Sequence, residues 1–217
     1  MVRVILAGTK TQTRRIVKSE HVEDASIWRR DDQRGLWESG IASGAPGSYG
    51  HGEYVRCPYG TGGDRLWVRE AFGLAPACHD PEPGDPDDWH VIHRADADPR
   101  FEQPWLDEDG NEHRPPWKPS IHMPRWASRI TLEVIGVRVE RLHAITEEDA
   151  RAEGVAVGEL QPAIINGEPG QAAFFNARDA FAYLWAGING AESWKSNPWV
   201  WVVEFKRIAE QAKSEAA

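Results

Sequence analysis

An α+β fold is expected from three features: short alternating apolar runs scattered along the chain, two or three helical stretches between them, and a length of 217 residues that suits one elaborated domain. That domain would span residues 1–208, with long irregular insertions at about 19–54 and 71–118 and a charged tail at 209–217.

Residues 1–7 read as a short helix, with Val2, Ile5 and Leu6 apolar and Gly8 supplying the left-handed stop that often follows a helix. Thr11, Thr13, Ile16 and Val17 favour a strand, whereas residues 19–54 mix charge, Gly and Trp without a sustained period and read as irregular, at most a hairpin. After the glycine turn at 60–64, residues 65–70 alternate Leu66 and Val68 against Arg65, Trp67 and Arg69, as a half-buried strand does. From 71 to 119 the composition shifts to Pro, Asp, Glu and Gly, which marks a surface insertion.

Residues 129–142 carry the longest alternating run, with Gly136 where a phase change or bulge would fall. Thr146 is placed to cap a short helix whose positive end suits Glu147 and Glu148 and which Gly154 closes. Residues 172–187 show an amphipathic helical pattern through Phe174, Phe175, Ala180, Phe181, Leu184 and Trp185, and residues 199–208 read as a final strand.

Composition narrows the function classes. The apolar runs are far shorter than the roughly 20 residues of a membrane helix, and residues 1–6 are too short for a signal peptide, so a cytoplasmic protein without a membrane partner is expected. Cys57 and Cys78 are the only cysteines and form no Cys-x-x-Cys pair; His79, His90, His93 and His113 near Cys78 match no standard ligand spacing, so neither a metal nor a cofactor is expected. A formal charge of −9 opposes non-specific binding to duplex nucleic acid. Lys10, Arg14, Arg15 and Lys18 nevertheless crowd near the start, so any polyanion would bind locally. Of the eleven tryptophans most are expected in the core, with a minority in loops free to stack on a base.

The most informative string is Gly8-Thr9-Lys10-Thr11-Gln12-Thr13-Arg14, where a tight turn can aim Lys, Thr and Arg inward. It resembles the G-x-K-x-x-x-R signature of the ASCH family in the PUA-like superfamily, in particular the phage-borne branch. The likeness continues through Cys57-Pro58-Tyr59-Gly60, then 63–70, 118–129, 145–154 and 197–208. Related phage proteins usually begin with a strand ahead of the first helix, which this chain lacks. The resemblance implies a PUA-like β-barrel flanked by short helices that handles RNA or a modified nucleoside.

In a bacterial branch that hydrolyses N4-acetylcytidine, a lysine and a threonine of this signature work with a later glutamate. The matching residues are Lys10, Thr13 and Glu153. Amide hydrolysis needs a nucleophile and a proton acceptor: a lysine depressed by burial can deprotonate a threonine hydroxyl or a water, and a carboxylic group can protonate the leaving amine. Thr13 is an odd number of residues from Lys10, so a regular strand would turn it away and convergence requires a bend near Thr11. Glu153 sits where a helix end favours a cation, which singles it out, and a solvated pairing with Arg151 is the plainer reading. Lys10 as a solvated helix-end cation predicts that Lys10→Ala changes stability little.

Arg14 is expected to hold a phosphate or brace a carboxylate, and Glu70, His122 and Arg125 are candidates to line the same cleft. Hydrolysis of an amide on an N4-acylcytidine-like substrate is thus the first expectation. The alternatives are a PUA-like module that binds RNA or a modified base without catalysis, and a ribonuclease.

Overall fold

The computed structural model describes residues 1–18, 25–32, 35–42, 48–76, 89–96, 105–106, 112–113, 117–158, 160–165 and 168–208. The chain is mixed α+β, mostly strands with a sheet curled as half a barrel and few short helices. It divides into two compact units, one formed mainly by residues 3–66 with 133–207 and the other by 67–132.

The first unit opens with helix α1 (Val2–Leu6) and strand β1 (Gln12–Ile16). A three-stranded antiparallel sheet follows from β2 (Ile27–Asp31), β3 (Leu36–Ala42) and β4 (Tyr49–Val55). Within residues 19–54, read from sequence as irregular, the structure therefore places regular strands, and the register shifts between Glu38 and Gly40. Their period is hidden because Trp28, Trp37 and Ser39 point to the core while charged residues interrupt each run.

Strand β5 (Arg65–Trp67) is shorter than the alternation suggests. Chain 67–132 supplies the hairpin of β6 (Phe72–Pro76) with β7 (Trp89–His93) and the brief pair β8 (Trp105–Leu106) and β9 (Glu112–His113). The insertion expected at 71–118 thus contains paired strands. Strand β10 (Thr131–Arg141) then leads through a 3-10 turn to helix α2 (Glu147–Ala152).

Strands β11 (Leu160–Ile165) and β12 (Glu168–Ala173) form an antiparallel hairpin, followed by α3 (Ala177–Asn189), α4 (Glu192–Lys195) and β13 (Trp199–Ile208). The helix expected from 172 begins later. Asn176 caps α3 by accepting the Asp179 N–H, and Phe175 lies outside it, almost wholly exposed. The tail at 209–217 lies outside the described residues, as does much of the stretch from Cys78 to His113.

A four-stranded sheet in the order β1-β13-β10-β5 carries the candidate site. Strand β13 is buried on both faces. Trp199, Trp201 and Val203 meet Val17, Trp28 and Trp37, and Val200 and Val202 meet Leu142, Phe181 and Trp185. The Trp37 and Trp201 rings cross edge to face at 5.8 Å, a geometry that adds to area burial. A strand sandwiched this way reads as a continuous apolar run, which is why its bounds were legible. No helix among the described residues is long and apolar enough to cross a membrane.

Candidate functional site

Strand β1 pairs antiparallel with β13, setting Gln12 opposite Glu204, Thr13 opposite Val203 and Arg14 opposite Val202. The pleat therefore directs Gln12 and Arg14 to the face that carries Val200 and Val202, and Thr13 to the face of the tryptophan cluster. Helix α2 begins with a capping box between Thr146 and Asp149 and ends at Glu153. The Thr11 N–H donates to the Ala152 carbonyl at 2.9 Å, which ties the start of β1 to the end of α2.

Lys10 and Glu153 meet across that tie. Lys10 Nζ lies 2.7 Å from Glu153 Oε2 and also donates to the Glu153 carbonyl at 2.8 Å, with both side chains about 5% exposed or less. A carboxylate at the negative end of a helix is unfavourable alone; the ammonium neutralises it and caps the carbonyl. Neither residue is solvated, and Arg151 pairs instead with Glu147 at 3.0 Å. Burial pushes the Lys10 amine below the ordinary lysine value, and Glu153 only partly opposes this.

Arg14 is the hub of the surrounding charges, with no exposed side-chain surface. It reaches Glu140 at 2.6 Å, Asp149 at 3.2 Å and Glu153 at 3.4 Å, donates to Gln12 at 3.1 Å, and lies 5.9 Å from the Phe181 ring centre. Of the two roles expected for it, bracing a carboxylate is the one these contacts describe. Arg138 extends the network to Glu140, Asp149 and Glu204. Burial would raise the Asp149 carboxyl, but the Thr146 N–H, the Gln12 amide and Arg14 together hold it below the ordinary aspartate value.

Protein-family models, curated proteins and solved structures gave no match. The site therefore stands on its own geometry, which brings Lys10, Arg14 and Glu153 together and turns Thr13 to the opposite face of β1. Strand β1 runs on through Thr13, whose buried hydroxyl has no hydrogen-bond partner among the described residues. Glu70, His122 and Arg125 belong to the second unit. There Glu70 is buried in a bidentate pair with Arg129, both contacts at 3.0 Å, while His122 and Arg125 are exposed.

Sequence reasoning missed Gln12, Arg138, Glu140, Asp149 and Glu204. The Thr146-x-x-Asp149 capping box was one available signal, and the polar alternation of Arg138 and Glu140 along β10 was another.

Gly154 fits Lys10 closely. Its φ of +84° is left-handed, and an added Cβ would lie 3.0 Å from Lys10 Cβ and 3.1 Å from Val4 Cγ2. Gly154→Ala is expected to cost about 1–2 kcal/mol from the backbone conformation alone, read as a lower urea midpoint at unchanged slope. An unchanged midpoint would show that the helix end relaxes freely.

Proposed function

We propose that this chain is a PUA-like protein of the ASCH type that hydrolyses an amide on a modified, N4-acylcytidine-like nucleoside, with Lys10 and Glu153 as the reacting pair. The observation that carries this reading is the buried 2.7 Å contact between Lys10 Nζ and Glu153 Oε2, made by an amine whose proton affinity burial has lowered. Such a pair sets an amine able to take up and return a proton beside a carboxylate that holds it in place.

The nucleophile in this reading is water, because Thr13 faces away. The neutral Lys10 amine takes a proton from water as the water oxygen bonds to the acyl carbon. The tetrahedral intermediate collapses by breaking the carbon–nitrogen bond, and the Lys10 ammonium formed in the first step returns its proton to the leaving amino group. That return leaves the amine neutral again, held by the Glu153 carboxylate through the 2.7 Å contact. Arg14, 3.4 Å from Glu153 Oε1, positions the carboxyl so that its other oxygen faces the lysine.

Incubation with N4-acetylcytidine is expected to release acetate and cytidine in equal amounts, followed by proton NMR. Binding of the nucleoside without acetate release would assign a reader instead, and cleavage of labelled single-stranded RNA a ribonuclease. Neither binding nor turnover would remove the nucleoside assignment.

A further inference from the structure

We propose that helix α1 and the turn after it form a lid, and that this lid lifts off Gly154, carrying Lys10 with it, to admit substrate to the site. The inference rests on the reading of Lys10 and Glu153 as the place of hydrolysis and adds how that place is reached. Every residue it uses belongs to the first unit.

As it stands the site is shut. The Lys10 and Glu153 side chains are both buried, so an acyl carbon on a nucleoside has no room to meet Lys10 Nζ. The partly exposed Glu140 and Asp149 give no second entry, because the wholly buried Arg14 guanidinium bonds to each of them and to Glu153. Turnover therefore needs a part of the molecule to move.

The contacts show which part can move as one piece. The Val4 carbonyl of α1 accepts the Thr9 N–H at 3.0 Å, the Thr9 hydroxyl at 3.1 Å and the Lys10 N–H at 3.1 Å, so the Lys10 backbone rides with α1. Val4 and Lys10 also share a seat. A Cβ built on Gly154 would lie 3.1 Å from Val4 Cγ2 and 3.0 Å from Lys10 Cβ, a fit that only glycine leaves room for. One residue later the chain is pinned on both sides: the Thr11 N–H donates to the Ala152 carbonyl and the Thr11 carbonyl accepts the Phe205 N–H, each at 2.9 Å. The bend falls between Lys10 and Thr11.

Little else holds the piece down. Ile5 is the one buried residue of α1, and Arg207 donates to the Leu6 carbonyl at 3.3 Å from an exposed position. A five-residue helix does not sustain itself away from its support. Lifting separates Lys10 from Glu153, but both charges gain water as they part, which offsets the lost attraction. Opening of this kind costs a fraction of global unfolding.

Hydrogen exchange followed by NMR reads the lid without any substrate. The Ala7, Thr9 and Lys10 amides donate inside the lid, whereas those of Thr11 and Val17 donate to Ala152 and Trp199. The first three are expected to be at least about tenfold less protected than the last two. Val4→Ala removes the methyls seated on Gly154 and should speed exchange of the three lid amides about fivefold, with Thr11 and Val17 unchanged. Labelling of Lys10 Nζ by trinitrobenzenesulfonate, measured by peptide mass spectrometry, should rise by the same factor. A turn that merely frays would speed the amides and leave the labelling alone.

A cross-link then ties the motion to turnover. The Cβ built on Gly154 lies 3.3 Å from Val4 Cβ, close to the separation of about 3.8 Å in disulfides. Oxidised Val4→Cys/Gly154→Cys protein, with the 4–154 bond confirmed by non-reducing peptide mapping, should release no acetate from N4-acetylcytidine and regain release on reduction. Backbone strain at position 154 is present in both forms, so the comparison cancels it. Should this variant not fold, the exchange and labelling of Val4→Ala decide alone. Lys10 protection equal to that of Thr11, labelling unmoved by Val4→Ala, or equal acetate release by oxidised and reduced protein would each overturn the lid. Wild-type hydrolysis beside any of those results keeps the Lys10–Glu153 reading, whereas a lid that lifts in a protein without hydrolysis removes that reading and keeps the motion.

Discussion

Replacing Arg14 with methionine is expected to destabilise the protein by about 3–5 kcal/mol, the usual cost of removing one partner from a buried ionic cluster. Its guanidinium has no exposed surface and lies within 3.4 Å of carboxylate oxygens of Glu140, Asp149 and Glu153. Methionine fills much of the same volume, so little packing is lost, and the cost arises from carboxylates left in a poorly solvated place without their cation. Glu140 and Asp149 are partly exposed and keep Arg138, so water and that arginine soften their loss. Glu153 keeps Lys10.

Arg14→Lys retains the charge without the planar fork that reaches several oxygens at once, and a smaller loss is expected. Urea unfolding at neutral pH measures both variants. A change below about 1 kcal/mol for Arg14→Met would mean that the cluster is already solvated enough to dispense with its hub.

How much of this site was legible in the sequence follows from which contacts are local. The capped start of α2, the left-handed stop at Gly154 and the apolar run of β13 each depend on a few neighbouring residues, and they stand where the sequence put them. Lys10 and Glu153 were reachable only through a family resemblance, since 143 positions separate them and nothing in spacing joins them. Their burial was not legible. A lysine after a helix reads as solvated, and only β1 docking against α2 removes it from water.

The odd spacing of Lys10 and Thr13 did carry information: without a bend, alternation alone turns Thr13 to the tryptophan face. The strands within 19–54 and 71–118 were hidden for a different reason. Antiparallel pairs such as Trp28 with Ser39 gain their order from a partner strand, and short runs broken by Gly, Pro and charge show no period of their own.

Burial of Lys10 changes what its removal does, and a paired substitution separates structure from chemistry. The expectation that Lys10→Ala costs little stability does not hold for a side chain 5% exposed that neutralises Glu153 and caps its carbonyl. Lys10→Met alone and Glu153→Leu alone should each lose about 3–5 kcal/mol, because each strands a buried charge. Together they remove both charges and leave two apolar groups of similar volume. The paired variant should therefore regain most of that loss, except for about 1 kcal/mol from the uncapped Glu153 carbonyl. The cycle should show a coupling of several kcal/mol between the two positions.

Hydrolysis behaves differently. Without the Lys10 amine, or without the carboxylate that holds it in place, acetate release should fall at least about a hundredfold in all three proteins, including the stable paired one. The wild-type kcat/KM should rise with pH below the ordinary lysine range, as the Lys10 amine, lowered by burial, loses its proton and becomes a base. As pH falls through that value the base is protonated and the rate declines, and Lys10→Arg should lose the rising limb entirely. A paired variant that melts like the wild type yet hydrolyses within about tenfold of it would make the ion pair a brace between β1 and α2 and place the chemistry elsewhere.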